Sequence, residues 1–413
     1  MLRYAYLFLA AGLVLAGILT GCQDRISTLG AQFYADTVGI HTLVRNDAGF
    51  MQFADTIHPL VNVNGVGVTL TDSTNLILIG RVAIGNENLE SWGLIQFPSL
   101  DTATAKMVTG IRLLLKDFAY KYGDTTSTTV DFRVWTTYNK VFDATTSLSM
   151  SDLSPIPVDS IDTVFGDTAD HILPLPLDTT LVKPLLTESF NAFVITPGPN
   201  MTNVRAFGAL HNYSYDENSI PELQLILNNG DTIYRYPTLD FHLVKDNSTT
   251  PSGEFTLRAS TGRRERVNLN LTRPTDTLHL DQFTSINNAT LVLHLDPNNT
   301  RLATLADDTV GPNIVQLGLL DSADHPEGNG FLDLSDPTHT TYRFQVRTIL
   351  ETWLRNPSQN LGFELRSEFA YRTIGGELIG VEDNTLNRWT FYGPNCSDTS
   401  KRPYFILSYS KLR

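Results

Sequence analysis

The sequence is poor in charge, in cysteine and in the motifs of catalysis. Charged residues make up 18% of its 413 residues, and acids outnumber Lys and Arg by 44 to 30, so the formal net charge is -14. Nucleic acids and anionic lipid surfaces bind basic faces, which argues against both as partners. The sequence contains no HExxH, paired CxxC, GxSxG or phosphate-binding glycine loop. It therefore predicts a protein that is not an enzyme and requires no cofactor.

Only two cysteines are present, and the first follows an export signal. Residues 1–21 contain one early positive charge, an apolar run over residues 4–16 and small residues before Cys22. The tetrapeptide LTGC at residues 19–22 resembles a bacterial lipobox, in which the cysteine receives lipid and becomes the mature N-terminus. The alternative is a transmembrane anchor, for which the apolar run is close to the lower limit of length.

The lipobox resemblance implies a protein of the bacterial cell envelope, held at a membrane by lipid at Cys22. The anchored body would face either the periplasm or the cell exterior. Cys396 would then have no partner for a disulfide bond, and we expect it to be a buried structural cysteine.

Short alternating apolar runs separated by turn residues dominate the rest of the chain. Residues 92–98 and 129–135 are examples, the first stopped by a proline and the second preceded by a turn around Gly123. Helical periodicity is confined to a few short stretches. Many short strands with turns between them predict an all-β protein built from antiparallel β-sandwiches.

Two stretches share one order of elements, which indicates a tandem repeat. Residues 177–227 read as a short helix, two strands, a polar loop and a strand that begins after a proline, and residues 344–409 repeat this order. We therefore predict two jelly-roll-like β-sandwich domains, each with one short helix. The predicted boundaries are a signal peptide (1–21), a leader that supplies one or two edge strands (22–72), the first sandwich (73–228), a linker with a possible strand (229–253) and the second sandwich (254–413).

The segments that carry this repeat also resemble a known family. Leu94 to Pro98 with Val108 to Leu115, and Leu269 to Thr272 with Ile286 to Leu293, are similar to the paired front strands of the DNRLRE-domain family. The closing segments, 190–227 and 362–409, are similar to its end. The resemblance implies extracellular β-sandwiches, often in tandem, some of which are regarded as carbohydrate-binding modules.

Aromatic residues are the first candidates for a binding surface. Tyr120, Tyr122 and Tyr138 flank predicted turns beside polar residues, so we expect them at the surface as ligand-binding side chains. Trp353 lies on the apolar stripe of a predicted helix and Trp389 precedes an apolar position, so both are expected in the core.

One acidic loop is a candidate for calcium. Asp321, Asp324 and Glu327 lie together in a loop that contains glycine, and hard cations bind such oxygen ligands. The alternative is a solvated acidic loop without a metal.

Three functions follow from these observations. The leading hypothesis is a lipid-anchored envelope protein that binds polysaccharide or acts in adhesion without catalysis. The second is a structural or assembly lipoprotein that docks another envelope protein. The third is a glycan-acting hydrolase, which would need two facing acids in a cleft. An exposed strip of aromatic residues would favour the first hypothesis, and a long uncovered sheet edge the second.

Overall fold

A computed structural model describes most of the chain. The described residues are 38–45, 50–57, 61–63, 66–68, 76–138, 156–164, 172–188, 190–210, 220–271, 280–303, 313–320, 326–333, 340–372, 378–382 and 385–412. The predicted signal peptide, Cys22, Asp321 and Asp324 lie outside these ranges. No helix within them is both long and apolar enough to cross a membrane.

Antiparallel strands make up most of the described residues, so the predicted all-β sandwich fold is confirmed. Fifteen of the described strands precede residue 250: β1 (Val38–Arg45), β2 (Met51–Ile57), β3 (Val61–Val63), β4 (Val66–Val68), β5 (Leu76–Ile84), β6 (Glu87–Pro98), β7 (Val108–Gly123), β8 (Thr129–Tyr138), β9 (Ile156–Val164), β10 (Ile172–Leu177), β11 (Phe190–Pro197), β12 (Asn203–Gly208), β13 (Glu222–Leu227), β14 (Thr232–Arg235) and β15 (Leu239–Asp246). The remaining described strands are β16 (Glu254–Leu257), β17 (Arg263–Leu269), β18 (Thr284–His294), β19 (Asn313–Leu320), β20 (Pro326–Asp333), β21 (Thr341–Gln345), β22 (Phe363–Arg372), β23 (Leu378–Glu382), β24 (Trp389–Tyr392) and β25 (Tyr404–Leu412).

The described α-helices are few and short: α1 (Thr102–Met107), α2 (Thr179–Val182) and α3 (Arg347–Arg355). The sequence pattern predicted α2 and α3 but missed α1. The segment TATAKM has no apolar periodicity, and α1 instead begins at a cap in which the Asp101 carboxylate accepts a hydrogen bond from the Thr104 amide at 2.9 Å.

In the first half of the chain, which we define as residues 76–246, the core lies between two sheets that share β7. The early part of β7 pairs with β13 on one side and β10 on the other, and β14 extends this sheet beyond β13. The later part of β7 continues into a second sheet in the order β7–β12–β5–β6–β11–β8–β9. Side chains such as Leu113, Leu225, Phe132 and Phe193 fill the space between the two sheets.

The second half, residues 254–412, has a separate apolar core. Its main sheets have the strand orders β1–β25–β18–β21 and β2–β17–β22–β19–β20. The buried face of α3 supplies Trp353, and Trp389 lies among the core side chains, so both predictions of core positions are confirmed. Cys396 is buried as expected.

The leader supplies edge strands, as predicted, but it supplies them to the second half. β1 pairs with β25 over eight residues, and β2 pairs with β17 over seven. The N-terminal segment therefore pairs with the second half of the chain rather than with the first. It completes two sheets whose other strands are more than 200 positions away in the sequence.

Two predicted surface tyrosines are buried, which corrects the sequence analysis. Tyr120 and Tyr122 have no exposed area and lie in an apolar cluster with Leu78, Val204 and Leu386. The Tyr120 hydroxyl accepts a hydrogen bond from the Leu386 amide at 3.0 Å. The later part of β7 is covered because the second half packs on the face that points away from the first core.

A buried ionic cluster joins the two halves at this place. Glu87 on β6 accepts hydrogen bonds at 2.6 Å from the Arg258 and Arg388 guanidinium groups, and at 2.7 Å from the Tyr122 hydroxyl. Arg258 also donates to Asp246 at 2.8 Å. Glu87, Tyr122 and Asp246 of the first half are thus linked to Arg258 and Arg388 of the second half, and we call these five residues the junction cluster.

Candidate functional site

Two tyrosines lie exposed at one edge of the first half. Tyr234 is on β14, the edge strand of its sheet, and Tyr236 follows two residues later; their exposed fractions are 47% and 53%. Large apolar side chains are ordinarily covered, so a paired exposure of this kind is a candidate binding feature.

The register of the sheet places both rings on its outer face. Arg235 lies opposite the buried Leu223, so the residues before and after Arg235 point the other way. Residues directly opposite each other in antiparallel strands share a face. Tyr234 therefore begins a row that crosses the sheet through Gln224, Arg112 and Pro176.

A second row runs beside the first. Glu222 lies opposite Leu114, and Leu114 lies opposite Pro174. The Tyr236 hydroxyl lies near enough to the Glu222 carboxyl to lower its pKa, so this tyrosine continues the row at the β14 edge. We call the two rows together the tyrosine face. Four strands span about 14 Å, and the rows lie about 7 Å apart.

Polar groups on the tyrosine face hold the rings in place. The Gln224 amide donates a hydrogen bond to the Tyr234 hydroxyl at 3.2 Å. Burial raises the pKa of the Glu222 carboxyl, and the nearby Tyr236 hydroxyl partly offsets this rise. The Tyr234 ring is thus held at its hydroxyl, and about half of the surface of each tyrosine stays open.

The tyrosine face combines flat apolar area with hydrogen-bonding groups of several kinds. The amide of Gln224, the carboxyl of Glu222 and the exposed guanidinium of Arg112 lie between the tyrosines and the prolines. An aromatic ring offers a large rigid contact area with a polar handle. This arrangement suits a flat ligand that has apolar faces and hydroxyl groups at its edges.

The candidate residues from the sequence analysis are not part of this face. Tyr120 and Tyr122 are buried at the junction between the halves. Tyr138 ends β8 and Glu327 lies in β20, but their side chains are outside the described part of the structure. The calcium loop therefore stays a prediction.

No metal site is present among the described side chains. No group of three or more His, Cys, Asp or Glu residues in this part of the chain is arranged to hold an ion.

A sequence signal for the tyrosine face existed and was missed. The turn Asn229–Gly230 stands between the alternating runs ELQLIL and TIYR, and an Asn-Gly dipeptide in that setting is a strong signal of a β-hairpin. Gly230 has a φ of 87°, which this turn requires. Because residues 229–253 were predicted to be a linker, the two tyrosines at 234 and 236 were not recognised as sharing one face of a hairpin.

No protein-family model matches the chain, and no curated protein does. The resemblance to the DNRLRE-domain family therefore stays a prediction.

Two solved structures align with most of the chain at low similarity. A protein from Parabacteroides distasonis, described as a candidate secreted protein, is 8% identical, with 88% of this chain and 91% of that chain covered and a TM-score of 0.20. The CBM22-1–CBM22-2 tandem domain of Paenibacillus barcinonensis Xyn10C is 7% identical, with 87% and 93% covered and a TM-score of 0.16. Scores this low carry no argument about function.

Proposed function

We propose that the protein is a non-catalytic polysaccharide-binding protein that uses the tyrosine face. The observation that carries this proposal is the pair of exposed rings, Tyr234 and Tyr236, on one face beside Gln224 and Glu222. A sugar ring has one or two faces of C–H groups and a rim of hydroxyls. The C–H faces would pack on the tyrosines, and the hydroxyls would bond to the amide and the carboxyl.

The edges of this sheet argue against a protein partner that adds a strand. β14 has four residues, and short edge strands are poor templates for pairing. At the opposite edge, β10 contains Pro174 and Pro176, which have no N–H to donate. The exposed groups therefore lie on the face of the sheet rather than at a free edge, which favours a glycan chain laid across the face.

The predicted lipid anchor would determine where in the cell the protein binds polysaccharide. With lipid at Cys22, the protein would present the tyrosine face at the bacterial cell envelope. An assembly lipoprotein is the alternative, and polysaccharide binding by the tyrosine face is the property that separates the two.

Replacing both tyrosines by alanine should abolish polysaccharide binding. Each ring contributes stacking area, and we expect each single change, Tyr234→Ala or Tyr236→Ala, to weaken binding about tenfold, since about 1.4 kcal/mol corresponds to a factor of ten. The full chain in detergent is screened against immobilised polysaccharides, and the affinity for any that bind is measured by titration calorimetry.

A matched control is Phe283→Ala. Phe283 is 70% exposed and precedes β18 in the second half, so its loss removes an exposed aromatic ring that is not part of the tyrosine face. Equal weakening by this control, or no binding to any polysaccharide in the screen, would count against the proposal.

A further inference from the structure

A cleft of about 500 Å³ lies in the second half of the chain, away from the tyrosine face. β2 and β17 form one wall and β16 forms another. The segment 248–250 and the turn at 393–395 line the remainder. Three carboxylic acids line this cleft: Asp55, Glu254 and Glu265.

Two of the acids lie directly opposite each other. In the antiparallel pairing of β2 with β17, Asp55 is the partner of Glu265. Like charges at opposed positions destabilise a sheet. Glu265 is 3% exposed, and no atom of the described residues is placed to hydrogen-bond its Oε2. A buried carboxyl oxygen without a partner is costly, so Glu265 lacks a donor at this atom.

The arginines nearby do not supply that donor. Arg263 reaches Asp55, but its nitrogen is 3.5 Å from the Asp55 carboxylate and the aspartate is half exposed, so this ion pair is weak. Arg264 donates to Glu364 at 2.9 Å, and Arg266 donates to the Leu361 carbonyl at 2.8 Å. The cleft thus has more acid than base.

The third acid increases this excess. Glu254 lies close to Asp296, and Asn299 donates to both carboxylates. Burial and the charge of Asp296 raise the pKa of Glu254 to about 7. Burial and the charge of Asp55 raise the pKa of Glu265 to about 8, while Arg263 lowers it. Both shifts have the direction expected where carboxylates repel each other in a site with too few cations.

Apolar and hydroxyl groups complete the lining. The rings of Phe53 and Phe255 lie with centroids 5.4 Å apart and planes at 31°, and both line the cleft. Thr250 and Thr256 contribute hydroxyls that are hydrogen-bonded to each other at 3.2 Å. Acids above an aromatic surface suit a group with a charged end and a hydrocarbon body.

We propose that this cleft binds a small organic cation, whose primary ammonium group donates hydrogen bonds to Asp55 and Glu265 while its hydrocarbon part packs on Phe53. A divalent metal ion fits less well, because Arg263 lines the same cleft and the described residues supply no cluster of three ligating side chains. An ammonium group supplies three donors, which meets the need of the unpartnered Oε2 atom of Glu265.

The proposal links binding to the release of protons. The ammonium group favours the ionised form of Glu265, which is largely protonated at pH 7 in the free protein. The groups that face it are Asp55, Arg263 and, across the cleft, Glu254. Binding at pH 7 therefore expels protons to the buffer.

Calorimetric titration of the full chain in detergent at pH 7 tests the proposal. Cadaverine serves as the aliphatic ammonium probe, glucosamine as the amino-sugar probe and N-acetylglucosamine as the matched neutral sugar. We expect saturable binding of at least one ammonium probe, no binding of N-acetylglucosamine, and a heat that changes with the ionisation enthalpy of the buffer. Which ammonium probe binds assigns the source of the cation.

Two variants secure the assignment to the cleft. Asp55→Asn and Glu265→Gln should each weaken binding about tenfold or more, because each removes a charge-assisted hydrogen bond. Asp55 is half exposed, so its variant should fold normally. Glu351→Gln on α3 is the control that leaves binding unchanged.

The proposal is overturned if neither ammonium probe binds, or if both cleft variants bind as the native chain does. The Tyr234→Ala and Tyr236→Ala variants should bind the ammonium probe normally. The cleft and the tyrosine face can therefore fail or succeed independently.

Discussion

Replacing Glu87 by alanine is expected to lower the free energy of unfolding by about 3–5 kcal/mol, because the change leaves two buried arginines without their carboxylate. Arg258 and Arg388 each donate to the same oxygen of Glu87 at 2.6 Å, and all three side chains are almost fully buried. The Tyr122 hydroxyl would lose its acceptor as well. Among the described residues, Asp246 alone would remain to balance the charge of Arg258.

The charge state of Glu87 supports this expectation. Burial acts to raise the pKa of the Glu87 carboxyl, but Arg258, Arg388 and Tyr122 together lower it below the ordinary value. A carboxylate with a depressed folded-state pKa stabilises the fold above the unfolded-state pKa, and this stabilisation is lost as the pH falls through the folded value. The junction cluster should therefore weaken in acid.

Denaturant unfolding of the native chain and the Glu87→Ala variant measures the effect. Glu90→Ala is the matched control, because Glu90 lies on the same strand and its contacts are partly exposed: an ion pair with Arg81 at 3.2 Å and a hydrogen bond from the Trp92 indole at 2.7 Å. It should cost about 1–2 kcal/mol, less than the loss of Glu87. Since Glu87 joins the first half of the chain to the second, its loss should also separate the unfolding transition into two. A single transition with a shift as small as that of the control would show that the junction cluster does not hold the halves together.

The burial of the tyrosines at the junction cluster could not be predicted from the sequence. Alternation along β7 indicates which side chains share a face, but it does not say whether that face is covered. Tyr120 and Tyr122 stand beside Lys121 in a strand that reads as half exposed. Their cover comes from Arg258 and Leu386, which are 136 and 266 residues away. Pairing at that distance leaves no local signal.

The all-β class could be predicted because its signal is local. Short alternating runs and turn residues specify strands wherever they occur. The destination of the leader could not be predicted in the same way, since β1 and β2 could have completed any open sheet edge. Their pairing with β25 and β17 depends on which edge the rest of the fold leaves free.

The two candidate sites also differ in how far their parts could be predicted from local sequence signals. The two tyrosines of the tyrosine face belong to one hairpin between β13 and β14, so the Asn229–Gly230 turn and the alternation around it were sufficient to predict that they share a face. The rest of the face comes from β7 and β10, which pair over longer distances in the chain. The cleft brings together Asp55, Glu254 and Glu265 from three strands, two of which are separated by about 200 residues. Abundant acids in a sequence of this composition gave no means of choosing these three.

Stability should fall as the pH rises from about 5 to about 8, and Glu265 should account for much of the fall. The pKa of Glu265 is about 8 in the folded protein, raised by burial and by the charge of Asp55, whereas an unfolded glutamate has a pKa of about 4.3. A carboxyl whose folded-state pKa is raised stabilises the fold fully below the unfolded value, and this contribution is lost as the pH approaches the folded value.

Glu265→Gln should therefore flatten the dependence of stability on pH. Glutamine has nearly the same shape and cannot ionise, so the variant avoids the cost of a buried carboxylate opposite Asp55. We expect it to be more stable than the native chain at pH 9 by an amount on the order of 3 kcal/mol, and to lose this advantage near pH 5. Thermal unfolding from pH 5 to pH 9 measures both differences.

The partly exposed Glu254, with its pKa of about 7, should leave a smaller slope in the variant. Glu351→Gln, which changes a partly exposed residue of α3, should follow the native curve throughout. If the curves of the native chain and Glu265→Gln stay parallel across this range, Glu265 is already ionised at neutral pH. An ammonium group that binds in the cleft at pH 7 would then release no protons from Glu265.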